Sequence, residues 1–381
     1  MKKACFVATV IDFLSTFEKS DMDLLQSLGY EVHCASNLKN YTHPRYFQMV
    51  KDMGVTLHQI DFARNPLSKT NLGALKQLQA LMEQEQFDIV HCHTPVGSVL
   101  GRLAAKRAKV PQVIYTVHGF HFFNGAPKKN WLIFYPIEKA MARKTDILIT
   151  INNEDYERAK KHFHPKDLRR IYGVGIELSR FADCECDRAK KRAELGIRGN
   201  ETLLVSVGEL DDDKNHILGI QAMKTLAPKG YRWVIAGTGH LKEMLTDAIR
   251  ENHLENAVTL LGFRDDIPEL LRAADMYVFP SWFEGVSVAL MEAVAAKLPI
   301  ACTEVRGNVD TVVTKESYFS PRSVDSMVAA VERINALSPE EKERMEETNW
   351  QNLQKFSLEN VRKDMLEIYR AADRAAERGR K

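Results

Sequence analysis

Residues 277–299 read YVFPSWFEGVSVALMEAVAAKLP, and the fold is decided by this stretch. An apolar strand ending (Tyr277, Val278, Phe279) runs into Pro280-Ser281. A loop then carries Glu284 and Gly285, and a helix follows with Glu292 two turns in. A strand, a glycine turn and a helix start make a place where backbone N–H groups converge on an anion. Glu284 and Glu292 stand beside that place with seven residues between them. Carboxylates cannot help to hold phosphate, since like charges repel at short range. They are suited to hydroxyls, to which each offers two acceptor oxygens. Phosphate and hydroxyls on one ligand describe a sugar nucleotide.

Outward from this stretch, short apolar strands alternate with helices. Toward the N-terminal side of the same half come TLLVSVG, a helix over 217–226, YRWVIAG, a helix from Leu241, AVTLLG and a helix through Leu270; PIACTE follows the opening helix. The first half repeats the rhythm with ACFVATVI, YEVHCAS, VTLHQIDF, FDIVHCH, QVIYTVHG and DILITIN. Its helical spacings fall over 72–85, 97–109 and 131–143. Such alternation predicts two parallel sheets, each covered on both faces. RRIYGVGIELSRF (169–181) reads as a linker between them, and a last helix over 358–378 ends in the basic tail RAAERGRK. The expected division is 1–172, 173–357 and 358–381. No G-x-G-x-x-G follows the first strand, which argues against a dinucleotide enzyme.

The 381 residues suit two domains of roughly 150–200 residues each. Hydrophobic content of 45% and charged content of 27% are those of a soluble globular protein. No apolar run approaches the roughly 18–20 residues that span a bilayer. MKKACFVATVIDFLS has two lysines before an apolar run, as a signal peptide does. Asp12 interrupts that run and no small-residue cleavage site follows, so a first buried strand is expected. Cys5, Cys34 and Cys92 sit in apolar runs, and Cys184 and Cys186 form a C-x-C without a second ligand pair. The thiols are therefore expected to be reduced and the compartment cytoplasmic. The net charge of +2 hides an asymmetry: residues 1–172 carry 24 Lys+Arg and 16 Asp+Glu, the remainder 29 and 35. A basic first half favours an anionic partner, such as a membrane surface or a phosphorylated acceptor, unless the imbalance is only of solvated faces.

Several strand ends carry candidate chemistry. In VSVGELDDDKN (205–215) Lys214 follows Gly208 by six residues and can reach a phosphate as a point charge. Gly237 and Gly239 in WVIAGTGHL fit a close backbone approach to a ligand. Gly262-Phe263-Arg264 offers a flat apolar group for a base, and Arg306-Gly307 ends the next strand. In the first half, His118 stands at a strand end before Gly119. His91 and His93 flank Cys92 and point to one side of their strand. H-x-H suggests a metal, but no third ligand is evident, so lining or packing is expected. Across 120–144, Phe122, Phe123, Trp131, Phe134 and Tyr135 mix with Lys128, Lys129, Lys139, Arg143 and Lys144. That mixture suits either a monotopic interface with anionic lipid or a core-packed helix with a basic outer face.

These residues resemble the retaining glycosyltransferases of family four, which have the GT-B fold. That family is marked by a glycine–lysine segment, a GxG strand end, PS…EG and a pair of glutamates with seven residues between. This chain has Gly208 and Lys214, Gly237 and Gly239, Pro280, Ser281, Glu284, Gly285 and Glu292. GVGIELSRF is similar to the family's hinge. The resemblance covers nearly the whole chain. It is strongest to bacterial members that assemble exopolysaccharide or capsule units, over YTVHGFHFFNGAPKKNWLIFYPIEK and VGEL…KNH.

The resemblance implies an α/β fold of two doubly wound Rossmann-like domains facing across a cleft. Residues 1–172 would bind acceptor and 173–357 the nucleotide-sugar donor, with the C-terminal helix packing back on the first domain. It implies that Glu292 accepts the ribose hydroxyls and Glu284 those of the donor sugar. The amides of Gly285, Val286 and Ser287, joined by Lys214, would face the diphosphate, and His118 would touch the transferred sugar. Neither metal nor other cofactor is implied, and the leaving phosphate would draw the acceptor's proton. The implied reaction moves a hexosyl or N-acetylhexosaminyl unit from a UDP-sugar to a lipid-linked glycan. The implied place is the cytoplasm or, peripherally, the inner face of the plasma membrane, without nucleic acid. The rival readings are a small soluble acceptor, a UDP-sugar epimerase of the same fold and a non-catalytic nucleotide-sugar-binding protein.

Two departures stand out. Glu209 occupies the position where the family has arginine. Either it points away or another cation serves, Arg306 being favoured over Arg264. VIDFLSTFEKSD lacks the paired glycines of the family's first loop, so no phosphate contact is assigned to it.

Overall fold

A computed structural model of the chain describes residues 1–39 and 44–380, apart from the side chains of residues 45, 379 and 380. Lys381, the end of the basic tail, lies outside the described residues. The chain forms two compact units, Met1–Val174 with Glu359–Lys381, and Gly175–Leu358.

The first unit is built on seven strands: β1 (Lys2–Val10), β2 (Tyr30–Asn37), β3 (Thr56–Gln59), β4 (Ile89–Cys92), β5 (Gln112–Val117), β6 (Ile147–Thr150) and β7 (Asp167–Arg170). Their order is β3-β2-β1-β4-β5-β6-β7 and every pairing is parallel. Cys5 of β1, for example, faces His33 of β2 and Val90 of β4. Helices cover both faces, so residues 4–8 of β1 are wholly buried and the strand reads as a continuous apolar run.

The second unit has β8 (Thr202–Val207), β9 (Tyr231–Ala236), β10 (Val258–Gly262), β11 (Met276–Phe279), β12 (Ile300–Thr303) and β13 (Tyr318–Phe319), in the order β10-β9-β8-β11-β12-β13, again all parallel. In each sheet the direction of winding reverses next to the first strand, between β1 and β4 and between β8 and β11. The strand ends at such a reversal form a crevice open to a ligand.

Two strands were not readable from the sequence. β7, DLRR, overlaps the segment read as linker, and β13 has only two residues. Both lie at sheet edges, where one side pairs and the other meets solvent, so neither needs an apolar run.

The helix Leu358–Arg380 packs on the first unit, as expected. Asp373 receives the Lys2 ammonium and the Tyr30 hydroxyl, both at 2.6 Å, and the Tyr369 side chain is wholly buried. Among the described residues no helix is long and apolar enough to cross a membrane.

Of the two readings of 120–144, the helix Lys128–Ala142 takes the core-packed one for its aromatics. Trp131, Phe134, Tyr135 and Glu138 recur at helical spacing and form its inner face, the aromatics packing against the core with Phe122. The outer face presents Leu132, Ile133 and Ile137 instead, among exposed Lys128, Lys129 and Lys139. Glu138 ties this helix to Pro95–Arg107. Its carboxylate takes Arg102 at 2.8 Å, and that guanidinium, 0% exposed, sits 4.0 Å over the Tyr115 ring. Removing one partner of a buried ion pair strands the other charge. Glu138→Ala should therefore lower stability by about 3–5 kcal/mol in chemical denaturation, and a paired Arg102→Met, Glu138→Met variant should recover most of it. A loss below about 1 kcal/mol for Glu138→Ala would show that Arg102 does not depend on this carboxylate.

Candidate functional site

In the second unit the segments after β8 and β11 flank the winding reversal. Gly208 follows β8, and a Cβ there would stand 3.2 Å from Lys214 Cε, so the lysine stem lies over the glycine. Asp211 caps the single turn Asp212–Lys214 by accepting the Lys214 amide at 3.1 Å. Asn215 then donates to the carbonyls of Pro280 and Pro321, each at 3.1 Å, locking the lysine's loop onto the next strand end. The close approach expected at Gly237 and Gly239 is real, but to the chain itself. A Cβ at 237 would lie 1.8 Å from the Gly208 carbonyl oxygen, and one at 239 would lie 2.3 Å from that of Leu210. These glycines let the loops after β8 and β9 touch backbone to backbone.

After β11, the Trp282 amide donates to the Asp213 carbonyl at 2.8 Å, which brings Glu284 to Lys214. Their charged atoms are 2.8 Å apart. Burial works to lower the Lys214 pKa, but Glu284 and then Asp211 and Asp213 outweigh it and hold the ammonium above its ordinary value. Ser287 caps the helix Val288–Ala295 by accepting the Leu290 amide. Among the described residues none accepts a hydrogen bond from the amides of Gly285, Val286 or Ser287.

Glu292 lies on that helix, largely buried, and no described side chain donates to its carboxylate. Burial pushes its pKa up to about 7, with Arg180 pulling the other way. Free amides at a helix start, a carboxylate on that helix and an ammonium paired with Glu284 of the same loop make a grouping suited to a diol joined to a phosphate.

The remaining candidates fall differently. Glu209 is exposed and its side chain makes no ion pair among the described residues. Arg306 comes to the site as a buried brace, 5% exposed, its Nε donating to the Glu284 carbonyl at 2.9 Å. Gly307, at φ +79°, allows the same contact, since a Cβ there would meet the Gly285 carbonyl oxygen at 2.4 Å. The role of replacement cation, favoured for Arg306 from the sequence, does not follow from this placement. Arg264 is held by Asp266 and Glu194, its Nε 2.7 Å from Asp266, so its charge is already matched. Phe263, 54% exposed beside it, presents an aromatic ring at the end of β10.

In the first unit His118 lines a cavity of about 280 Å³ with Phe13, Pro95, Thr116, His121 and Phe134. The H-x-H pair is split: His93 is joined with His118 by Glu18, at the end of the Ile11–Phe17 helix, a partner not evident from the sequence. Glu18 Oε1 lies 3.2 Å from His93 Nδ1 and 3.5 Å from His118 Nε2. His91 instead contacts Tyr369 and Thr116. Burial pushes His91 and His118 each down to about 3 and lowers His93 as well, so these rings are neutral.

Residues 187–352 match the family described as glycosyl transferases group 1, and residues 3–152 that described as glycosyl transferase 4-like. The chain is 34% identical over 381 residues to the putative glycosyltransferase EpsD of Bacillus subtilis (strain 168), covering 97% of each chain. It is 32% identical over 273 residues to the UDP-Gal:alpha-D-GlcNAc-diphosphoundecaprenol alpha-1,3-galactosyltransferase of Escherichia coli, covering 69% of this chain and 70% of that one. Among solved structures, Anabaena Alr3699/HepE in complex with UDP and glucose superposes with a TM-score of 0.77 at 17% identity, over 97% of this chain and 100% of that one. WaaG, a glycosyltransferase involved in lipopolysaccharide biosynthesis, does so at 0.70 and 16%, over 97% and 99%. At these identities the structural likeness is one of fold, the GT-B fold.

The buried Glu292 makes stability depend on pH in a stated direction. Its folded pKa of about 7 lies above the ordinary 4.5, so between those values the folded state holds a proton that the unfolded state has lost. Stability from this group is therefore full below 4.5 and falls as pH rises through 7. Glu292→Gln should gain on the wild type between pH 5 and pH 8 by up to about 3 kcal/mol, read as a widening difference in Tm. A difference that stays constant over that range would show the carboxylate is not buried at a cost.

Proposed function

The chain belongs to the glycosyltransferases, and on that premise we propose that it is a retaining, metal-independent enzyme. It moves a hexosyl or N-acetylhexosaminyl unit from a UDP-sugar to a lipid-linked saccharide in bacterial exopolysaccharide or capsule synthesis. The observation that carries this reading is Glu292, a largely buried carboxylate without a protein donor, on the helix whose leading amides are unbonded among the described residues. A ribose diol supplies two donors to such a carboxylate, and the attached diphosphate fits the amides of Gly285, Val286 and Ser287. The substrate classes have the support of the relatives' names, one a transferase of UDP-Gal acting on a diphosphoundecaprenol-linked sugar.

Charge exchange gives the site its chemistry. Without donor, Lys214 rests on Glu284. An arriving diphosphate competes for the ammonium, which turns to the β-phosphate and frees Glu284 to accept hydroxyls of the sugar. The amides and Lys214 then stabilise the charge that grows on the leaving phosphate as the glycosidic bond breaks. That phosphate is the base that takes the proton of the incoming acceptor hydroxyl on the same face, so configuration is retained. Glu284, engaged with Lys214 or with sugar hydroxyls, is not needed as a nucleophile. His118 is carried over as the residue of the first unit that meets the transferred sugar.

A membrane-bound acceptor suits the outer face of Lys128–Ala142. Exposed Leu132, Ile133 and Ile137 lie among Lys128, Lys129 and Lys139, with Arg143 and Lys144 next along the chain. An apolar strip with flanking lysines is suited to the cytoplasmic surface of an anionic bilayer. The wild type should float with anionic vesicles in low salt, and a triple serine variant of the three aliphatic residues should not. Equal flotation of both would remove this face from the proposal.

The donor reading is tested by a thermal-shift panel of nucleotide sugars. A UDP-sugar should raise Tm through mass action, by about 2.7 kcal/mol of stability at a hundredfold excess over Kd. Glu292→Ala should abolish the shift, and Lys214→Ala should lower kcat/KM by about a hundredfold or more. No shift with any nucleotide sugar, or an undiminished shift in Glu292→Ala, would contradict the reading.

A further inference from the structure

The cluster around Glu18 is not used by the donor chemistry. Glu18 is 3% exposed, and among the described residues no lysine or arginine pairs with it. Besides its contacts of 3.2 Å to His93 Nδ1 and 3.5 Å to His118 Nε2, those two nitrogens are themselves 3.2 Å apart. Three atoms that each carry at most one proton are in mutual contact, so their protons cannot be placed independently.

The surroundings limit the choices further. Phe6 and Phe13 pack on the His93 ring, each at 5.9 Å between centroids, and Phe13 meets the His118 ring edge-on at 4.7 Å. On the far side Asp21 comes within 4.8 Å of Glu18 and His91 and accepts the Tyr369 hydroxyl at 3.1 Å. His93 Nε2 is buried and has no hydrogen-bond partner among the described residues. A buried bare acceptor is tolerated better than a buried orphan N–H, so His93 keeps its proton on Nδ1. His118 is then the ring whose tautomer remains to be fixed, and Glu18 Oε1 and the protonated His93 Nδ1 are the atoms that face its Nε2.

We propose that Glu18 is a positioning residue for His118, gathering the two imidazoles and imposing one orientation and one tautomer on the ring that lines the cavity. An ionised Glu18 accepts from Nε2–H and leaves Nδ1 as a lone pair. A protonated Glu18 donates to Nε2 and leaves the proton on Nδ1. Either form imposes a single tautomer, and with it the choice of whether His118 gives or takes a hydrogen bond with a ligand hydroxyl. Burial keeps His118 neutral, so the tautomer and not the charge is at stake. An amide at position 18 offers both an NH₂ and a C=O and imposes neither. The consequence for transfer rests on the proposed function, whereas the geometry of the cluster does not.

The test is the ¹⁵N spectrum of the His118 imidazole in the whole chain, assigned by its loss in His118→Ala. The wild type should show one neutral tautomer, and Glu18→Gln, with near-wild-type circular dichroism, a mixture. In transfer assays Glu18→Gln should lower kcat by about tenfold or more while the KM for the UDP-sugar stays within about twofold. In a His118→Ala background the same change should cost no more than about twofold, because Glu18 acts through that ring. If Glu18→Gln does not fold, Glu18→Asp, which keeps the acid but withdraws it, should still give the tautomer mixture.

An unchanged ¹⁵N pattern in the folded variant, or a fully additive loss in the double variant, would overturn the proposal. So would stoichiometric cobalt(II) binding with an absorption band lost in Glu18→Gln, since the three atoms would then be metal ligands. A wild type that transfers no sugar would sink the functional reading alone, and the spectra would still decide the tautomer.

Discussion

Where strand order reverses in a parallel sheet, the two adjacent connections leave toward opposite faces and no helix covers the strand ends between them. In this chain that constraint applies twice. Between β8 and β11 it leaves room for Lys214, Glu284 and the start of the helix that carries Glu292. Between β1 and β4 it leaves room for Glu18 and His93, with His118 just past the end of the neighbouring β5. A right-handed crossover and a run of apolar strands are enough to produce both openings.

The two openings hold their charges by different means. In the second unit, opposite charges are paired and a second carboxylate, Glu292, is left on the helix that follows the unbonded amides, so the site is ready to exchange protein partners for ligand partners. In the first unit, burial favours neutral forms throughout, holding the histidines down and Glu18 up. One arrangement suits binding an anion and the other suits presenting a fixed hydrogen-bonding ring. Both avoid the cost of an unmatched ion in a dry interior.

What could be read from the sequence was whatever is local. Continuous apolar runs marked the central strands, and the spacing of Glu284 and Glu292 around a helix start placed the donor-type grouping. Edge strands such as β7 escaped because half their surface is wet. Gly237 and Gly239 were found, but their partner turned out to be the backbone of Gly208 and Leu210, which no spacing reveals. Arg306 was recognised as a site residue, yet only the fold shows it turned to brace the Glu284 carbonyl. The Glu18–His93–His118 contact joins three separate βα units, and Tyr369 reaches the adjoining His91 from 278 residues away. Such long-range assemblies depend on topology, and a pair such as H-x-H carries only half of one.

The central claim is that Glu292, Lys214 and the amides of residues 285–287 together hold a nucleoside diphosphate. A structure of the chain with UDP tests this most directly. The expected result has both ribose hydroxyls within hydrogen-bond distance of the Glu292 carboxylate, the β-phosphate on the amides, and Lys214 moved from Glu284 to that phosphate. A ribose bound away from Glu292, or a phosphate that leaves the Lys214–Glu284 pair intact, would contradict it.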